Sequence, residues 1–331
     1  MLKVLYDTRW IGPHGIGRFA EELQQRLPGL VPFHASRRPW HPLDPLLLSA
    51  SLFSRKDTLF FSPGYNSPYA YSGPFVFTLH DLHHLRVKDN SNAAKRAYYE
   101  YIIRPACHRS AFVLTVSEYS KREIAIWSGV REEKIINVGN GVGFPFTPVG
   151  AKHTPGYPYL LYVGSHKPHK NLKRLLKAYF RSGVRKDVRL ILTGAPDQTI
   201  SSEIASLGLE SDVVFRNSAT NGELSELYRG ALAFLFPSLY EGFGLPPLEA
   251  MACGIPVLTS NVCSLPEVVG EAGILVNPLD IEAIGDGISR LVGNSDLRRE
   301  LSNKGLSRAQ KYSWDLTARA TEAALCQTAS S

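Results

Sequence analysis

Two carboxylates eight residues apart, Glu241 and Glu249, bracket a run of glycine and proline that starts where an apolar stretch ends at Pro237. Gly242 and Gly244 let the backbone bend and approach a ligand closely. Pro246 and Pro247 stand where a helix would begin, which suits proline because the first helical N–H groups have no partner in the helix. Gly254 ends that helix, and the next apolar run follows at once. A flexible loop thus feeds a helix N-terminus, where free N–H groups and the helix dipole favour an anion. A carboxylate can grip a vicinal diol through both oxygens. The combination suits a ligand that carries phosphates and sugar hydroxyls. The plainer alternative is a strand-to-helix loop with a glutamate near a helix start.

Three further groups could share that chemistry. Lys170 follows Gly164, Ser165 and a run of His166, Lys167, Pro168 and His169, and precedes an amphipathic stretch at 171–181. A lysine at a helix start opposes the dipole unless an anion is present, and its compact charge suits a leaving diphosphate. A second glycine loop at 12–17 contains Gly12, Gly15 and Gly17 and opens a predicted helix at 18–27. His80 ends a predicted strand at 75–79, beside Asp81 and close to His83 and His84. It reads either as a ligand-facing histidine or as a strand-end histidine bonded to Asp81. These spacings on a loop do not favour a three-histidine metal site.

The elements that must position these groups follow from periodicity. Strands are predicted at 3–7, 58–61, 75–79, 111–116 and 134–138, with helices at 92–108 and 118–127. The segment 147–158 is rich in proline, glycine and threonine and reads as a linker. The rhythm then restarts. Strands fit 159–163, 189–193, 212–215, 231–237 and 256–260, and helices fit 171–181, 199–207, 222–228 and a short stretch from 247. The tail from 281 is helical by pattern. Apolar runs alternating with amphipathic ones predict an α/β protein with parallel, doubly wound sheets. The expected division is 1–150, 151–312 and a C-terminal helix at 313–331 that packs back toward the first domain.

With 331 residues, 44% of them hydrophobic and 20% charged, the chain is long enough for two α/β domains and has an ordinary globular composition. No stretch of about 18 apolar residues exists, and the early Lys3 and Asp7 argue against a signal peptide; a cytoplasmic protein is expected. The four cysteines are scattered without metal-ligand spacing and read as reduced thiols. Of the net charge of +7, residues 1–150 contribute +6 (18 Lys and Arg against 12 Asp and Glu). A basic half attracts phosphate-rich partners or is a plain solvated surface. No helix-turn-helix, zinc finger or aromatic RNP-like strand supports nucleic acid as that partner.

The segment from Phe236 to Val257 resembles the E-x7-E motif of retaining glycosyltransferases of the GT-B fold, in particular family GT4. The likeness extends through Ser260, Asn261, Leu265, Pro266, Glu267 and Val268, and through the loop from Tyr162 to Leu172. It also takes in Val116 to Lys121, the turn at Asn140 to Val142, Thr78 to Leu82, and the glycine loop containing Gly15. The resemblance implies two Rossmann-like domains facing a cleft, an N-terminal one for the acceptor and a C-terminal one for a nucleotide sugar. It assigns the donor ribose to Glu249 and the region of the donor sugar to Glu241. It assigns contacts with sugar and phosphate to the backbone of Phe243, Gly244 and Leu245, and the diphosphate to Lys170 and the loop of Gly164 and Ser165. His80 would line the cleft. Many relatives carry an arginine where this chain has Ser165 or His169, which leaves one cationic contact to be supplied by Lys167 or Arg174.

The resemblance is greatest to mannosyl- and deoxyhexosyl-transferring members of surface-polysaccharide synthesis. It implies metal-independent transfer from a GDP-linked donor, without a cofactor, to a saccharide or polyprenyl-diphosphate-linked acceptor. The stretch 37–56, with Arg37, Arg38, Trp40, Leu43, Leu46, Phe53, Arg55 and Lys56, mixes cations with apolar side chains and suits an anionic membrane surface. A peripheral place on the inner face of the cytoplasmic membrane is expected from it. A nucleotide-sugar epimerase of the same fold is the alternative activity, and a basic nucleic-acid-binding protein the alternative of another class.

Overall fold

The computed structural model describes residues 3–34, 39, 41–217 and 220–330. The chain forms two compact units, one of Met1–Gly141 with Trp314–Ser331 and one of Val142–Ser313. The break thus falls at Gly141, before the position 150 expected from composition. The proline- and glycine-rich segment is tied down: the Arg229 guanidinium donates to the carbonyls of Pro145, Thr147 and Ala151, and Phe146 packs edge-on against Tyr228.

The first unit holds a six-stranded parallel sheet of β1 (Val4–Asp7), β2 (Leu30–Phe33), β3 (Phe60–Ser62), β4 (Phe75–Thr78), β5 (Phe112–Thr115) and β6 (Ile135–Asn137), in the order β2-β1-β3-β4-β5-β6. β1, β3 and β4 are buried along their whole length, as apolar strands covered on both faces must be. Strand order reverses direction between β1 and β3, so a crevice is expected outside the carboxyl ends of those two strands. The C-terminal helix Trp314–Ser330 belongs to this unit. Its Asp315 pairs with Arg26 at 2.7 Å, and Arg18 lies over the buried Trp314 ring.

The second unit holds β7 (Tyr159–Tyr162), β8 (Arg189–Thr193), β9 (Val213–Arg216), β10 (Ala233–Phe236), β11 (Val257–Ser260) and β12 (Gly273–Val276), again all parallel, in the order β12-β11-β10-β7-β8-β9. Counted within the unit this is the 3-2-1-4-5-6 order of dinucleotide-binding folds, with its switch point between β7 and β10. The two loops singled out by the sequence are those that leave the carboxyl ends of β7 and β10.

Candidate active site

The loop after β7 reaches Lys170 through a single 3₁₀ turn, Pro168–Lys170, and then enters the helix Leu172–Arg181. Asn171 makes that sharp entry in a left-handed conformation at φ 64°, which asparagine tolerates better than most residues. Its side-chain amide donates to the Pro237 carbonyl at 2.8 Å and to the Pro278 carbonyl at 2.7 Å, tying the β7 loop to the loops after β10 and β12. Leu239 N–H donates to the His169 carbonyl at 2.7 Å, and the Ser238 hydroxyl donates to the same carbonyl at 3.1 Å. The switch-point loops are therefore stitched together by buried hydrogen bonds, the kind that fix a single arrangement.

On this scaffold Lys170 Nζ donates to Glu241 Oε1 at 2.6 Å, with both side chains largely buried, and stands 5.0 Å from the centre of the Phe236 ring. The Ser264 hydroxyl lies 2.9 Å from the Glu241 carbonyl and 2.7 Å from that of Phe243, and the Ser260 hydroxyl donates to the Ser238 carbonyl at 2.6 Å. Hydroxyls from β11 and the segment after it thus hold the glutamate loop from behind.

The loop ends at Gly244, whose φ of 116° and close approach to Leu265 (an added Cβ would lie 2.8 Å from Leu265 Cδ2) admit only glycine. The helix Leu245–Ala252 starts immediately after it. Gly244 has no side chain to cap that helix, and Pro246 and Pro247 occupy its first turn. Glu249, in the same helix, is buried and accepts from the Tyr228 hydroxyl at 3.2 Å through Oε2. Phe243 is buried edge-on against Tyr312. Gly164 leaves β7 at φ 149°, its N–H donating to Thr193 Oγ1 at 3.1 Å, and the Ser165 carbonyl accepts from the Tyr162 hydroxyl at 2.7 Å. His169 is buried between Lys167 and Lys170; burial and those two cations push its pKa down to about 4, so it is neutral at pH 7. The second unit thus brings Gly164, Ser165, Lys170, Glu241, Phe243, Gly244, Leu245 and Glu249 to the carboxyl edge of one sheet.

His80 and Gly15 belong to the first unit. His80 Nε2 donates to the Pro63 carbonyl at 2.9 Å, and the ring packs edge-on against Phe19 at 4.9 Å. Burial pushes its pKa down to about 4. A neutral ring that donates from Nε2 presents Nδ1 as an acceptor, so at pH 7 this side chain supplies no positive charge. Gly15 is the first residue of the helix Gly15–Arg26, one turn earlier than periodicity suggested, because His14 Nδ1 caps it by accepting from Gly17 N–H at 2.9 Å. Among the described residues, no three His, Cys, Asp or Glu side chains converge as metal ligands would.

Sequence reasoning missed the supports of the site. Tyr228 and Ser264 carry no motif signal, and Asn171 reads only as part of the loop from Tyr162 to Leu172, since its positive φ is a property of the fold. It also missed a buried charge network after β1. Arg9 bridges Asp7 (2.7 Å) and Asp44 (2.5 Å), and Asn66 donates to Asp44 Oδ2 at 2.5 Å.

Comparison with known proteins decides the family. Residues 148–308 match the family described as Glycosyl transferases group 1, and residues 5–143 match Glycosyltransferase Family 4. Over 296 residues the chain is 30% identical to O-antigen chain mannosyltransferase B of Escherichia coli, which covers 85% of this chain and 75% of that protein. The chain belongs to glycosyltransferase family 4. It is a glycosyltransferase whose two parallel-sheet units are those of the GT-B fold. A longer relative, the serotype-specific mannosyltransferase WbdA of E. coli, is 30% identical over 227 residues; the match covers 63% of this glycosyltransferase and 28% of WbdA, so the chain spans about a quarter of that relative's length. Among solved structures, the sucrose-phosphate synthase of Thermosynechococcus elongatus superposes with a TM-score of 0.78 at 18% identity over 99% of both chains, a likeness of fold.

Proposed function

We propose that this glycosyltransferase moves a hexose, mannose or a deoxyhexose, from a GDP-linked donor to a saccharide or lipid-linked saccharide, with retention of configuration and without a metal. The observation that carries the reading is the Lys170–Glu241 pair at the β7/β10 switch point, beside the start of the helix Leu245–Ala252 and the buried Glu249. A lysine held next to a helix N-terminus suits a diphosphate leaving group, and a buried carboxylate on that same helix suits the ribose diol. The mannosyl choice draws on the names of the relatives, among them the mannosyltransferases described above.

In the proposed reaction an acceptor hydroxyl attacks the anomeric carbon as the bond from that carbon to the phosphate oxygen breaks. The hydroxyl proton passes to the leaving phosphate oxygen. Lys170 and the amides around Gly244 take up the charge that develops on the diphosphate, and Glu241 faces the donor sugar. His80, neutral at pH 7, would accept a hydrogen bond rather than supply a charge. The first unit would hold the acceptor and the second the donor.

Thermal shift with GDP, UDP, dTDP and ADP on wild type and Glu249→Ala tests the donor half. A ligand that binds only the folded chain at a hundred times its dissociation constant adds about 2.7 kcal/mol. Stabilisation by GDP alone, lost in Glu249→Ala, is the expected result. Stabilisation by another diphosphate would replace the base, and no response to any of the four would overturn the site.

A further inference from the structure

The first unit contains a cavity of about 280 Å³ that the donor chemistry does not use. Its walls include Tyr65 from the loop after β3, His84 from the short helix His83–Arg86, Pro42, and Lys95, Tyr98 and Tyr99 from the helix Ala93–Tyr98 and the turn that follows it. Tyr65 therefore brings it next to the carboxyl end of β3, one of the two strands at this sheet's switch point.

The wall is aromatic, and most of its ring pairs stand edge to face, with Tyr65 and Tyr99 tilted at 38° and 6.2 Å apart. Tyr65 is 6.3 Å from Tyr98 at 77° and 6.1 Å from His84 at 80°, and His84 is 5.9 Å from Tyr99 at 64°. Trp10 braces Tyr65 from behind at 5.0 Å, and Trp127 braces Tyr99 at 5.8 Å. Adjacent residues of an α-helix point about 100° apart. Tyr98 and Tyr99 nevertheless line one cavity, at the point where the helix changes to a π-helical segment, Tyr99–Ile103. Such widened turns occur often at functional sites.

The polar groups are as specific as the rings. The hydroxyls of Tyr65 and Tyr98 make no hydrogen bond among the described residues. Burial first, and then the charge of Asp44, raise both pKa values, so both hydroxyls stay protonated and can donate as well as accept. Asp44 itself is fully buried and held by Arg9 and Asn66, and Asn66 also donates to the carbonyl of Pro39, another wall residue.

An occupant must be compact, uncharged and rich in hydroxyls. No two of the rings lie parallel at stacking distance, so the wall has no slot for a planar base to enter between two of them. An anion would meet Lys95 and also the field of Asp44. A pyranose presents a face of C–H bonds that an aromatic face attracts through its quadrupole, with hydroxyls around the rim. Pockets for drug-sized ligands run from about 300 to 1,000 Å³, so this one is sized for a single sugar ring.

We propose that the cavity is a saccharide subsite that takes one neutral hexopyranose ring of the acceptor, stacked on Tyr98 and hydrogen-bonded by the hydroxyls of Tyr65 and Tyr98. The assignment rests on the reading of the first unit as the acceptor side of the glycosyltransferase.

Saturation-transfer NMR on the full chain without donor tests it, with the methyl pyranosides of mannose, glucose, galactose and N-acetylglucosamine as probes. At least one sugar should receive saturation from aromatic protons in wild type and lose it in Tyr98→Ala. If Tyr98→Ala does not fold, the Tyr65→Phe/Tyr98→Phe double variant keeps both rings and should bind that sugar about tenfold more weakly, the loss of roughly one or two hydrogen bonds. No saturation of any probe in wild type, or unchanged binding in the folded variant, overturns the subsite. Thermal shift with GDP, UDP, dTDP and ADP on the same samples separates the two readings: sugar binding without a response to any of the four sinks the donor reading alone, and a diphosphate response without sugar binding sinks the subsite alone.

Discussion

At the residue scale the proposed chemistry rests on a lysine that is already paired. Lys170 and Glu241 are 2.6 Å apart with little solvent around either, so a diphosphate must compete with the carboxylate for the ammonium. The two substitutions should therefore move GDP affinity in opposite directions. Glu241→Gln leaves the shape but removes the competing charge, and GDP should bind about fivefold tighter, the net size of one ordinary hydrogen bond. Lys170→Ala should weaken GDP binding and lower kcat by about 10²–10³, the usual cost of removing one group that stabilises a developing anion. Calorimetric titration with GDP checks the first and steady-state turnover the second; GDP affinities that shift in the same direction would mean that the pair is structural.

His80 supplies a second test at this scale. Its folded pKa, about 4, lies below the value of 6.5 for a free histidine. On acidification the unfolded chain takes up the proton first. The contribution of the neutral ring is thus fully present above pH 6.5 and is lost as pH falls from 6.5 toward 4. At about 1.4 kcal/mol per unit, a shift of this size is worth roughly 3 kcal/mol. His169, also held at about 4, and His14 and His153, lowered by burial, act with the same sign. The melting temperature should fall between pH 7 and pH 5, and less steeply in His80→Phe. An unchanged slope in that variant would assign the loss to the other histidines.

At the element scale, what makes the site is the meeting of two strand ends. The glycines and prolines after β10 were readable in advance because each has one local reason: a bend, a helix start or a helix end. The strands around them were readable because central parallel strands are continuous apolar runs. β2 was not, because Pro32 interrupts it. The structure places it at the sheet edge, where a proline is tolerated. β12 escaped for a related reason: Gly273 opens it and the strand is only half-buried, so it lacks the apolar run that marks β10 and β11. The cross-links by Asn171, Ser238 and Ser264 depend on which loops become neighbours, which no local pattern encodes. Gly244 joins both kinds of information. Gly244→Ala places a methyl group in a left-handed backbone and against Leu265, at a cost of about 1–3 kcal/mol. The melting temperature should drop by a few degrees, and GDP should lose affinity because the helix start is displaced. A variant with wild-type melting and GDP binding would show that the loop reshapes freely and does not fix the anion site.

At the scale of the whole molecule, charge and exposed apolar side chains fall on the same part of the chain. Residues 1–150 carry +6 of the net +7. Within them, Leu43, Leu46 and Phe53, in and beside the helix Asp44–Leu52, are exposed, Phe53 to 70%. Lys56 Nζ stands 5.0 Å from the Phe53 ring. Arg37, Arg38 and Trp40, which the sequence adds to this patch, lie outside the described residues. Among the described residues no helix is long and apolar enough to cross a membrane, so any hold on a bilayer through them must come from the surface. Each Lys or Arg near an anionic surface contributes about 1 kcal/mol, and that attraction is screened beyond about 10 Å at 0.1 M salt. Insertion of apolar side chains is insensitive to salt. The patch combines the two, so phosphatidylglycerol vesicles should co-sediment the protein at low salt, release part of it at high salt and retain the rest. Phosphatidylcholine vesicles should retain little. Phe53→Ser should remove the salt-resistant fraction, and Arg55→Ser/Lys56→Ser the salt-sensitive one. Equal binding of wild type and both variants would place the contact elsewhere, and no binding to either lipid would leave the basic half as an ordinary solvated surface.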